Sequence, residues 1–125
     1  MSARILIVLG GLMGAAGIGL AAAGAHALPG AGLDSAASML LFHAVAILGG
    51  TTLLRQGLLW PPLTFCALAG WVIGTVLFSG DVALRTFAGH RLFPMAAPAG
   101  GIILITAWLA LSAAAIATLM RPAAK

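Results

Sequence analysis

Ile5 to Ala25, ILIVLGGLMGAAGIGLAAAGA, contains neither a charged residue nor a proline. As an unbroken helix rising about 1.5 Å per residue, such a run reaches about 30 Å, the depth of a bilayer's hydrocarbon core. Within it Gly10, Gly14, Gly17, Ala21 and Gly24 recur at spacings of four, three, four and three. That spacing lines them up along one helical stripe. Lipid tails are as apolar as leucine, so helices in a bilayer associate through close packing of small residues rather than through hydrophobic burial. The stretch therefore reads as a transmembrane helix that carries its own packing face.

Three more charge-free stretches follow, Ser35–Leu54, Leu58–Gly80 and Leu92–Met120. They give expected spans of about 5–26, 36–54, 58–80 and 93–120. So little sequence remains between them that consecutive helices must be antiparallel neighbours. The expected fold is an all-α membrane protein, a four-transmembrane-helix antiparallel bundle with short loops, residues 1–125 forming a single four-span membrane domain. Pro94 and Pro98 suggest that the long fourth segment begins with turns that are kinked or lie in the interface. Arg4 ahead of an apolar run, with Ala25-His26-Ala27 beyond it, also has the outline of a cleaved signal peptide. The run exceeds the apolar core of about 7–15 residues usual in such peptides, so it is read as a span.

Composition agrees. Across 125 residues, 62% are hydrophobic and 6% charged, against roughly 25% charged in a soluble domain. Soluble enzymes, nucleic-acid modules and disordered tails are excluded on that ground. The net charge of +4 comes from basic residues scattered over the whole length, which is no nucleic-acid footprint. Cys66, the single cysteine, sits in an apolar run and is read as a small hydrophobe. Lys and Arg are retained on the cytoplasmic side of short loops. Arg4, Arg55, Arg121 and Lys125 share one side, against Arg85 and Arg91 on the other, so both termini are expected in the cytoplasm.

A second small-residue pair, Gly70 and Gly74, lies in the third span. Packing within the chain and homodimerisation are both open for these glycines. Gly11, Ala15, Gly19 and Ala22 make the first helix small on its remaining face as well, where a partner helix has room.

Polar residues are few, and the orientation puts His26, His43, Asp81 and His90 in the same half of the membrane. At 100° per residue, Asp81 stands about 20° from Gly70 around the third helix, so its carboxylate extends the face that looks into the bundle. Should the helix continue, Arg85 is its i+4 counter-ion. His26 and His43 are expected close together. A Zn or Cu site, an axial haem site at His26 and His43, and a structural hydrogen-bond cluster are three readings of these residues. No local metal motif is present and none of the usual catalytic templates fits, so no cofactor and no enzymatic activity are expected. Trp60 beside Pro61 suits an interfacial anchor, while Trp71 and Trp108 are read as filling space in or around the bundle.

Gly24-Ala25-His26-Ala27-Leu28 resembles the G-A-H-x-L signature of the small inner-membrane proteins grouped as domain of unknown function 423. Phe42-His43-Ala44-Val45-Ala46 resembles that family's Q-x-x-H-A-x-A region, and Leu77-Phe78-Ser79-Gly80 its close of the third span. Ala97-Pro98-Ala99-Gly100-Gly101, followed by Trp108, resembles its P-x-G-G and G-W features. The likeness runs over nearly the whole chain and extends to the eukaryotic transmembrane protein 256. It implies a four-helix inner-membrane protein and brings no established activity. His26 and His43 fall inside matched motifs; Asp81 and Arg85 do not.

The expected function is that of a non-catalytic accessory or scaffold protein whose glycine-rich helices pack against a membrane partner or a second copy. Its partners are then the lipid bilayer and another membrane protein or copy of itself, with no nucleic acid. The alternatives are a small-solute or ion conduit, and a metal or haem protein using His26 and His43.

Overall fold

The computed structural model describes residues 2–30 and 32–120. The chain is all helical, with four helices long and apolar enough to cross a membrane. α1 spans Ala3–Ala22 and is extended by a wider π turn over Ala23–Ala27, closed by the bond from Leu28 N to Ala23 O (2.9 Å). α2 spans Leu33–Arg55, α3 Pro61–Ala88 and α4 Ala96–Leu119.

Local chemistry sets each boundary. Ser2 caps α1, its side chain accepting from Ile5 N. Gly32, at φ 76°, turns the chain into α2, where Asp34 stands in the first turn against the positive end of the helix dipole. Pro61 and Pro62 open α3, where their missing N–H groups have no helical acceptor to lose. Gly89, at φ 72°, ends it with a bond from its N–H to Arg85 O.

Three helices differ from the expected spans, α2 starting at Leu33 rather than 36 and α3 at Pro61 rather than 58. α3 runs eight residues past Gly80, to Ala88, because Asp81 and Arg85 pair one turn apart and neutralise each other inside the helix. α4 starts at Ala96 rather than 93 and needs no kink. Pro94 and the left-handed Met95 (φ 69°) lie ahead of it, and Pro98 sits in its first turn.

The helices are antiparallel and follow chain order. α2 packs on α1 and α3, α3 packs on α4 and meets α1 at a few positions, and no close backbone approach joins α1 to α4. The bundle is therefore an open row whose two outer helices are its least buried. A common core of Leu6, Met13, Leu40, Ala44, Ile47, Leu68, Trp71, Leu104 and Ala107 draws on all four helices.

Glycines set the closest approaches. On the α1–α2 seam, a Cβ added at Gly17 would meet Leu41 Cγ at 2.8 Å, and one at Gly10 would meet Leu48 Cδ2 at 3.2 Å. Gly14 has slack, with Ala44 Cβ at 3.8 Å, and Gly24 meets Asp34 Oδ1 and Leu33 Cβ at 3.4 Å. On the α3–α4 seam, Gly70 would meet Ala107 Cβ at 2.8 Å and Gly74 would meet Gly100 O at 2.9 Å. Gly100, from the fourth span, is the tightest of all, 2.6 Å from Gly74 O. Ser79 Oγ adds a polar link across to α2, donating to Ala36 O at 2.9 Å.

Candidate functional site

His43 is buried near the middle of α2. Its Nδ1 lies 2.8 Å from Met39 O, and Trp108 Nε1 donates to its Nε2 at 3.3 Å. A backbone carbonyl only accepts and an indole N–H only donates, so the pair fixes a neutral imidazole with the proton on Nδ1. That tautomer leaves Nε2 no free lone pair for a metal or haem iron while Trp108 holds it.

Three rings assemble around this bond. The His43 centroid is 6.3 Å from that of Trp71 and 6.2 Å from that of Trp108, and the two indoles are 4.5 Å apart. Trp71 is fully buried; its Nε1, like Thr75 Oγ1 one turn further along α3, has no hydrogen-bond partner among the described residues. Of the two indole donors only Trp108 Nε1 reaches the imidazole. Sequence reading treated both tryptophans as space fillers. The available signal was register: Trp108 stands near the middle of α4 as His43 does of α2.

The acidic site lies at the other end of α3. Asp81 is 2% exposed; its Oδ2 lies 3.1 Å from Arg85 Nε, and its Oδ1 accepts from Leu92 N at 3.0 Å. One carboxylate thereby neutralises a cation and fastens the α3–α4 connection to the helix. A cavity of about 390 Å³ opens beside it, lined by Asp81, Arg85, Arg91, Phe78, Met95 and Pro98 among others.

The remaining residues do not join these two centres. His26 is exposed in the π turn after α1, and His90 is exposed in the α3–α4 connection, with Nδ1 3.2 Å from Arg91 O. The seam contacts put His43 between the levels of Gly14 and Gly17. His26 therefore stands about 15 Å further along α1, and the expected His26–His43 neighbourhood is not formed. Among the described residues no three His, Cys, Asp or Glu side chains gather where they could hold a metal ion. Cys66 is exposed on the outer surface of α3.

Comparison with known proteins gives the chain its relatives. Residues 20–101 match the family model described as a protein of unknown function (DUF423). The chain is 30% identical over 122 residues to a UPF0382 membrane protein of Staphylococcus epidermidis, covering 86% of this chain and 92% of that protein. It is 29% identical over 124 residues to the UPF0382 inner membrane protein YgdD of Escherichia coli K12, covering 93% of this chain and 92% of the relative. No solved structure matches.

Proposed function

This chain belongs to the DUF423 family of proteins of unknown function, and from that premise we propose that it is a non-catalytic accessory or scaffold protein of the bacterial inner membrane. The observation that carries the reading is a second small-residue face on α1. Gly11, Ala15, Gly19 and Ala22 are all exposed, and a Cβ added at Gly11 or Gly19 would meet nothing within 4 Å. The first stripe is spent inside the chain, with Gly10 and Gly17 against α2. The second lies on an outer helix of an open row, where a partner helix can approach as closely as α2 does on the other side. Purification of the full chain in mild detergent tests the proposal, with disulfide trapping through Gly19→Cys in a Cys66→Ala background. A trapped dimer, or a defined membrane protein that co-purifies, is expected; a strictly monomeric protein with nothing attached overturns it.

The conduit reading fares worse. Its polar residues stand at separate levels, and of the buried hydroxyls between Asp81 and the start of α3, those of Thr51, Thr64 and Ser79 are spent on backbone carbonyls. A metal or haem protein would have to break the Trp108 bond first, and a visible absorption spectrum with elemental analysis decides that reading directly. We assign both termini to the cytoplasm, from the four basic residues Arg4, Arg55, Arg121 and Lys125 on one side of the bundle against Arg85 and Arg91 on the other. Arg121 and Lys125, which make up that excess, lie outside the described residues.

A further inference from the structure

His43 and Trp108 lie near the midpoints of α2 and α4, and the tilted ring of Trp71 packs beside them. This layer therefore marks the middle of the membrane. Asp81 is ten residues beyond Trp71 on α3, about 15 Å along the axis, which is half the thickness of a hydrocarbon core of about 30 Å. The cavity beside Asp81 thus opens at the depth where lipid phosphates begin.

Its charges do not balance. Asp81 supplies one carboxylate, already engaged by Arg85 Nε and Leu92 N. Arg85 and Arg91 supply two guanidinium groups, and Arg91 pairs with no carboxylate among the described residues. One positive charge is left over in a recess of about 390 Å³ whose other walls include Phe78, Met95 and Pro98. Guanidinium forks match phosphate oxygens, and apolar walls accept glycerol and the first acyl carbons. Arg85 has four N–H donors besides its Nε, and its side chain is 41% exposed.

We propose that this cavity binds the phosphate of an anionic phospholipid, with Arg91 as the principal contact and Asp81 holding Arg85 in place to share it. The lipid's net negative charge answers the unbalanced arginine, and the membrane itself supplies phosphate at that depth. A zwitterionic lipid brings its own cation and gains less.

The full chain in neutral detergent, titrated with phosphatidylglycerol, phosphatidylcholine or inorganic phosphate and read by native mass spectrometry, tests this. Phosphatidylglycerol is expected to bind at least about fivefold more tightly than phosphatidylcholine, and Arg91→Gln to weaken it by about fivefold, the usual worth of one basic side chain at a membrane surface. Arg91 is exposed and lies outside the helices, so its loss does not threaten the fold. Arg55→Gln, at the opposite membrane face of the bundle, is expected to change affinity by less than about twofold. An unchanged affinity in Arg91→Gln, or an equal loss in Arg55→Gln, overturns the site. Displacement of the lipid by equimolar inorganic phosphate overturns the lipid assignment and leaves a soluble-anion site.

Discussion

Trp108 Nε1 and His43 Nε2 face each other at 3.3 Å, joining helices whose backbones make no direct contact. α2 and α4 lie on either side of α3 in the row, and this side-chain bond spans them at mid-membrane. Replacing Trp108 with Phe removes the donor and leaves a buried imidazole nitrogen without its partner. The expected loss is about 1 kcal/mol, at the low end for such a group because the bond is long. Thermal unfolding of Trp108→Phe, His43→Leu and the double variant measures it. Additive losses would mean that the bond contributes nothing.

Asp81 carries two separable duties, and two substitutions separate them. Asp81→Asn keeps an oxygen for Leu92 N but loses the charge facing Arg85; Asp81→Ala loses both. The expected order of stability is wild type, then Asn, then Ala. Arg85→Gln leaves the buried carboxylate uncompensated, which costs about 3–5 kcal/mol in a fully buried pair. Here about 1–2 kcal/mol is expected, since Arg85 is 41% exposed and water screens it. Denaturation in one detergent gives the order, and an Ala variant as stable as the Asn variant would show that the Leu92 bond is idle.

Much of this architecture is legible in the sequence because lipid imposes a simple rule: a helix long enough to cross must be free of unpaired charge. That rule finds four helices long and apolar enough to cross and stops the third run at Gly80, while the helix itself continues to Ala88 with Arg85 as the counter-ion that the i+4 spacing offered. Whether a charge ends a helix depends on what stands one turn away, and a scan for charge-free runs ignores it. The stripe of Gly10 and Gly17 is equally legible, since spacing alone makes a face. Gly100 is not, because its closeness to Gly74 depends on the register between α3 and α4. His43 and Trp108 are 65 residues apart in sequence and meet only once α3 sets the spacing between their helices. For the same reason His26 and His43, which short connection suggests are neighbours, are separated by their heights along adjacent helices.

Orientation follows from loop charge and is checked by fusion reporters. A reporter active only in the cytoplasm is expected to score at the C-terminus and at the α2–α3 connection, and one active only outside at the α3–α4 connection near His90. Moving the excess by substituting Arg4 and Arg55 with Gln is expected to produce mixed insertion, the two sides then differing little in basic residues. A C-terminal reporter active outside in the wild type would overturn the assignment.

Glycines on the two seams predict opposite outcomes for the same substitution. An added methyl at Gly14 finds Ala44 Cβ at 3.8 Å, an ordinary contact. Gly14→Ala should be neutral, or stabilising by up to about 1 kcal/mol, because alanine is the better helix former. At Gly100 the same methyl stands 2.6 Å from Gly74 O and 2.8 Å from Phe78 N, both backbone atoms that no rotamer change can move. α3 and α4 must then part, giving up contacts along their whole seam, and a loss of about 1–3 kcal/mol is expected, as for an overpacked core. Larger groups sharpen the contrast within α1: Gly14→Leu forces that seam open as well, whereas Leu12→Ala trims a side chain that is 63% exposed to lipid and leaves no cavity. Thermal midpoints of the four variants in one detergent check the series, and a Gly100→Ala variant as stable as Gly14→Ala would mean that the α3–α4 seam is looser than these distances require.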